Sequence, residues 1–148
     1  MLSQTVEYAL RAMVYLAALE PDRAANSETI AGHTKIPHGY LSKILRDLVV
    51  AKLVRSQRGP SGGFSLAQPA EKVSLLSVVN AVDPITRIAR CPLGDPAHIS
   101  LCPLHSRLDH AIALVEQELK QTTLAELRDT SSANASGCRQ LRPRPSAR

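Results

Sequence analysis

From Leu2 to Leu19 apolar residues recur at helical spacing, at Val6, Leu10, Met13 and Ala17, while Gln4, Glu7 and Arg11 fall on the opposite face. The pattern predicts a first helix that ends before Pro21. In the "SETIAGHT" stretch that follows, Asn26 and Ser27 are both suitable N-caps for a short second helix. The next run, "IPHGYLSKILRDLVVAKLV", opens with Pro37 at a favoured first-turn position and carries an apolar stripe of Leu41, Ile44, Leu45 and Leu48. A short helix, a tight turn and a longer amphipathic helix make a helix-turn-helix.

Directly after it, "LVRSQRGPSGGFSLAQP" places a β-compatible run on each side of the turn-rich "RGPSGG", the signature of a β-hairpin. A hairpin in that position is the wing of a winged helix. Further on, Leu101, Leu104, Leu108, Ala111 and Val115 alternate by three and four, with Ile112 and Leu119 broadening the seam. Such a stripe calls for a partner helix. "TTLAELRD" then reads as a short capped helix, and the chain from Thr130 lacks the apolar content to fold. The fold class expected is therefore mainly α with a small β-hairpin wing. Its parts are a winged helix-turn-helix over 1–82, a loop over 83–101, a long pairing helix with a short C-terminal helix over 102–129, and a disordered basic tail over 130–148.

Charge sharpens this picture. The net charge of the 148-residue chain is only +5, but Lys35, Lys43, Arg46, Lys52, Arg55 and Arg58 stand against the single acid Asp47 between positions 35 and 58. The tail adds Arg139, Arg142, Arg144 and Arg148 without an acid, so the rest of the chain is acidic. A basic reading helix and wing on an acidic body fit a polyanion, double-stranded DNA, better than a merely solvated face. The second helix of the motif suits the major groove, and an arginine at the wing tip suits the narrow minor groove. The expected DNA contacts are His38, Tyr40, Ser42, Lys43 and Arg46 on the reading helix and Arg55, Arg58, Gly59 and Gly62 on the wing.

Other classes fit less well. The sequence contains no Gly-rich phosphate loop, no Ser/His/Asp set and no His-Glu-x-x-His, so no enzyme is expected. Nothing reads as a signal peptide or a membrane span, and a cytoplasmic location is expected. Three widely spaced cysteines do not make a disulfide scaffold but leave thiol or metal chemistry open.

Three stretches carry a resemblance: "EYALRAMVYLA", "IPHGYLSKILRDLVVAKLVRSQRGPSGGFSLA" and "VSLLSVVNAVD". Over Met1 to Asp129 the chain resembles the Rrf-two family of transcription regulators, to which IscR, NsrR and CymR belong. The resemblance implies a homodimeric DNA-binding regulator, usually a repressor, acting on an inverted-repeat operator. It also implies a sensing loop between the winged helix and the dimerisation helix.

That loop holds "CPLGDPAHISLCPLH". Many cluster-bearing members place three cysteines there. Here only Cys91 and Cys102 are present, and Ala97-His98 stands where a middle cysteine is expected, so a three-cysteine site does not carry over. What remains is an array of Cys91, His98, Cys102 and His105, with His105 brought in by the match of "CPLH" to the Cys-x-x-His of IscR-like proteins. Thiolates and imidazoles suit zinc, and they suit a two-iron iron–sulfur cluster of mixed ligation. Cys102 precedes Pro103 at a helix start, where the helix N-terminus favours the charged sulfur that a metal requires, and Cys102 and His105 face the same way. The resemblance offers Glu7 as a carboxylate ligand from the partner subunit; its alternative is an i,i+4 pair with Arg11. A metal-free thiol switch between Cys91 and Cys102 stays open beside the metal readings.

Overall fold

The computed structural model describes residues 2–21, 23–91 and 101–133. Helix α1 (Gln4–Ala17) starts where the Ser3 hydroxyl accepts the Val6 N–H. It buries Val6, Ala9, Ala12, Met13, Leu16 and Ala17, so its core face is turned slightly from the expected stripe and Leu10 lies at the half-buried edge. The small Ala9 and Ala12 let α1 sit close to the elements it touches, which include α3, α4 and α6.

Helix α2 (Ser27–Thr34) is capped by Asn26, whose side chain accepts the Thr29 N–H at 2.8 Å. It ends at Lys35, which takes the left-handed conformation with φ 58° and turns the chain sharply. Ile36 is then buried, and Pro37 serves as N-cap of α3 (His38–Val50) rather than standing inside its first turn. The Pro37 carbonyl accepts from both Tyr40 and Leu41. All four residues of the expected α3 stripe, Leu41, Ile44, Leu45 and Leu48, are buried.

Strands β1 (Val54–Gln57) and β2 (Gly63–Leu66) pair antiparallel, with Val54 opposite Leu66 and Gln57 opposite Gly63. A further bridge, Ala25 to Phe64, ties the segment before α2 to the outer edge of β2. After a single 3-10 turn at Ala70–Lys72 come α4 (Leu75–Val82), capped by Ser74, and α5 (Pro103–Gln121). Leu101 therefore precedes α5 instead of belonging to its stripe.

Helix α6 (Leu124–Ala133) starts at a reciprocal box in which Glu126 accepts the Thr123 N–H and Thr123 accepts the Glu126 N–H. It runs past Thr130, where the tail was expected to begin. Leu124 is fully buried and joins the core that α1 and α3 build, and its N–H donates to the Val73 carbonyl at 2.8 Å. The chain thus leaves the winged helix along α5 and returns to it through α6. The rest of the expected basic tail, with Cys138, lies outside the described residues. Mainly α with a small β-hairpin wing is the fold observed, as the sequence implied. Among the described residues no helix is long and apolar enough to cross a membrane.

Candidate nucleic-acid face and metal centre

Because α3 spends one face on the core, its opposite face is free. His38, Tyr40, Ser42, Lys43 and Arg46 are all exposed there. Two of them have protein partners: Ser42 Oγ donates to the His38 carbonyl at 3.0 Å, and His38 Nε2 lies 3.4 Å from Ser27 Oγ on α2. Lys43 and Arg46, on long stems, extend the face as cations.

On the wing, Arg58 and Gly59 are exposed at the turn. The glycines do work inside the hairpin. Gly62 donates its N–H to the Gly59 carbonyl at 2.9 Å, and a Cβ at Gly62 would fall 2.5 Å from the Gln57 carbonyl oxygen. Gly62 therefore closes the turn. Arg55 lies at the opposite end of the hairpin, paired with Ser65, and lines a groove with Leu16, Glu20, Glu71 and Arg128. Arg55 and Arg58, grouped by the sequence, stand apart on the hairpin.

The second candidate centre forms at the start of α5. Cys102 is the N-cap and Pro103 the first helical residue. His105, one turn on, brings Nδ1 to 3.1 Å from Cys102 Sγ and 3.7 Å from Cys91 Sγ. The three ligand atoms all lie within 4.8 Å of one another, and each residue is half-buried. Both cysteines are free thiols. In a tetrahedral site with metal–sulfur and metal–nitrogen bonds of about 2.3 and 2.0 Å, neighbouring donors stand roughly 3.3–3.8 Å apart. The donor set fits a metal in its chemistry, and the Cys91–His105 separation falls in that range while the Cys102–His105 separation is slightly shorter. Of the other ligands considered, His98 lies outside the described residues. Glu7 is exposed in the first turn of α1 and does not join the group within the protomer. Nor is Arg11 its ion-pair partner here: Arg11 donates to the Thr34 carbonyl at 3.2 Å and covers the Tyr8 ring.

Sequence reasoning missed what holds Cys91. Arg87 grips Asp109 of α5 with two nitrogens, Nε donating to Oδ1 at 2.7 Å, and reaches Glu116 at 3.4 Å. The Ile88 N–H donates to the same Asp109 Oδ1 at 2.9 Å. The Arg87 hydrogen bonds, helped by that amide, hold the Asp109 carboxyl down at about 2. No local signal links two residues 22 apart across a loop.

Along α5 no residue is fully buried. Leu104 and Leu108 are 63% and 46% exposed, and Leu108, Ala111 and Val115 line an apolar groove with Leu2, Ile85 and Ile88.

Known proteins share this fold. A family profile described as Rrf2, iron-dependent transcriptional regulator, matches residues 2–130. An HTH-type transcriptional regulator of Mycobacterium tuberculosis is 33% identical over 128 residues, covering 85% of this chain and 80% of that one. The global cysteine regulator CymR of B. subtilis superposes with a TM-score of 0.73 at 23% identity, over 88% of this chain and 97% of CymR. T. potens IscR superposes with the same score at 21% identity, over 95% and 93% of the two chains. With its winged helix and the profile match over residues 2–130, the chain belongs to the Rrf2 family of transcriptional regulators.

Proposed function

We propose that this regulator is a homodimeric repressor that binds an inverted-repeat operator and senses its signal through a metal centre at Cys91, Cys102 and His105. The convergence of two thiols and an imidazole at the α5 N-terminus is the observation that carries the reading. The profile's description as iron-dependent supports an iron-containing occupant, either a single ion or a two-iron cluster completed by His98 or by Glu7 of the second subunit. The close spacing of the three donors favours one ion, zinc included, because donors to two different irons stand farther apart. In the DNA-binding step, His38, Tyr40, Ser42 and Lys43 face base edges, while Arg46 holds phosphate and Arg58 enters the minor groove. The metal's part is to fix the loop to α5. Loss of the metal, or oxidation of the two thiols, alters the spacing of the two reading helices and so the affinity.

The deciding experiment is anaerobic preparation of wild type, Cys91→Ala and Cys102→Ser, followed by iron, sulfide and zinc analysis and DNA titration. Wild type is expected to carry metal, and both variants to lose it and to change operator affinity. Metal-free wild type whose DNA affinity instead follows formation of a Cys91–Cys102 disulfide makes the protein a thiol switch. Metal retained in full by both variants removes the site.

A further inference from the structure

The segment that delivers Cys91 to its partners has neither helix nor strand between positions 84 and 91. It runs instead against one face of α5. His105, Asp109 and Glu116 stand along that face at helical spacing, one turn and then two turns apart. Arg87 meets Glu116 and Asp109, Ile88 meets Asp109, and Cys91 meets His105. The strand-like segment is thus pinned in register, antiparallel to the helix, with the cysteine at the end of the ladder. Among the described residues no other hydrogen bond fixes 86–90 to α5.

We infer that Arg87 and Asp109 form a latch that positions Cys91 against Cys102 and His105. Both are positioning residues: they touch neither thiol. The inference deepens the reading of the metal centre and rests on it for its purpose, though not for its geometry. From Ile88, three residues of chain span at most about 10 Å, so anchoring Ile88 confines the Cys91 sulfur to a small volume around the other two donors. Confinement raises the effective concentration of the third ligand, and the affinity of the site rises in proportion. The bidentate guanidinium–carboxylate geometry gives the latch direction as well as charge, which a lysine ammonium does not reproduce. Ile88 also lines the apolar groove on α5, so an uncharged variant tests whether apolar contact alone suffices.

The test uses the full chain carrying Cys138→Ser, so that only Cys91 and Cys102 exchange, with Arg87→Ala, Arg87→Lys and Asp109→Asn added singly. The first readout needs no metal. Apo protein is equilibrated with reduced and oxidised glutathione, where two protein thiols form one disulfide as one glutathione disulfide yields two glutathione thiols. The equilibrium gives the effective concentration of Cys91 at Cys102. The second readout is zinc affinity by competition with a chromogenic chelator. Arg87→Ala and Asp109→Asn are each expected to lower both quantities by about tenfold or more, with Arg87→Lys in between and the helical circular dichroism signal unchanged. Variants equal to wild type in the disulfide equilibrium overturn the latch whatever the metal result. Wild type that binds neither zinc nor iron, with the disulfide equilibrium still falling in the variants, overturns the metal reading and keeps the latch as the positioner of a thiol pair.

Discussion

The rings of Tyr8 on α1 and Tyr40 on α3 meet edge to face, their centroids 6.0 Å apart and their planes inclined at 66°. Tyr40 sits in the first turn of the reading helix and is 55% exposed, so this contact is what α1 offers to an otherwise free side chain. Arg11 packs over the Tyr8 ring, 5.6 Å from its centroid, and holds the end of α2 through the Thr34 carbonyl. An aromatic pair of this kind contributes about 0.5–1.5 kcal/mol beyond its buried area. Tyr8→Ala is expected to cost about that much in urea unfolding and to weaken DNA binding by loosening Tyr40, although Tyr8 is not among the proposed DNA contacts. Tyr8→Phe keeps the edge-to-face contact and should bind DNA as wild type does. Equal DNA affinity in Tyr8→Ala and wild type would show that Tyr40 needs no support.

The wing separates shape from contact. Gly63 has φ 145°, and a Cβ there would stand 2.5 Å from the Ala25 carbonyl oxygen, inside the bridge that joins Ala25 to Phe64. Gly63→Ala is expected to destabilise the fold by about 1–3 kcal/mol in chemical denaturation, because backbone must move. Arg58 is exposed at the turn, and Arg58→Ala is expected to leave the unfolding curve in place while weakening operator binding roughly tenfold or more. Wild-type binding by Arg58→Ala takes the wing out of recognition.

Much of this arrangement could be read from periodicity and punctuation. The α3 stripe of Leu41, Ile44, Leu45 and Leu48 is spaced for one face, and the Asn26 cap and the "RGPSGG" turn are local signals, so each landed where expected. The Cys102–His105 pair was equally accessible, being three apart on a helix. What local pattern does not carry is long-range placement. The return of α6 into the core rests on two buried residues, Leu124 and Ala125, at the start of a polar helix. The Arg87–Asp109 latch joins a loop residue to a helix residue that reads alone as an ordinary surface acid. Arg55 shows the same limit, since the sequence places it near Arg58 but only the hairpin register shows that it stands away from the turn.

The latch also has a pH signature. Asp109 titrates at about 2 in the folded chain, down from 3.8, chiefly because of the Arg87 hydrogen bonds. A carboxyl with a depressed folded pKa adds stability above its unfolded pKa and loses it as pH falls through the folded value. The stability gap between wild type and Arg87→Ala is therefore expected to be constant from neutral pH down to about 5. It should shrink below 3.8 and close near 2. Carboxyl NMR should place Asp109 near 2 in wild type and closer to the ordinary range in Arg87→Ala. A gap that closes near neutral pH instead would assign the effect to a histidine, not to this carboxylate.

The seam on α5 leads to the last prediction. A 19-residue helix that buries none of its residues, with Leu104 and Leu108 largely in water and Ala111 and Val115 beside them, is expensive for a lone protomer to expose. His105, Asp109 and Glu116 are engaged by the 84–91 segment, whereas Leu104 and Leu108 stay exposed and the groove that Leu108, Ala111, Ile112 and Val115 line is open, which leaves an apolar surface for a second copy. Leu108→Glu puts a charge in the middle of that seam. Because Leu108 is 46% exposed in the protomer, the variant is expected to keep its fold, seen as an unchanged helical circular dichroism signal. It should sediment as a monomer where wild type sediments as a dimer. A monomer engages one half-site at a time and loses the gain from linked binding, so operator affinity should fall about 100-fold or more while a single half-site is bound as before. A Leu108→Glu protein that remains a dimer moves the pairing surface off α5, and the groove beside Leu2 and Ile85 then needs a different occupant.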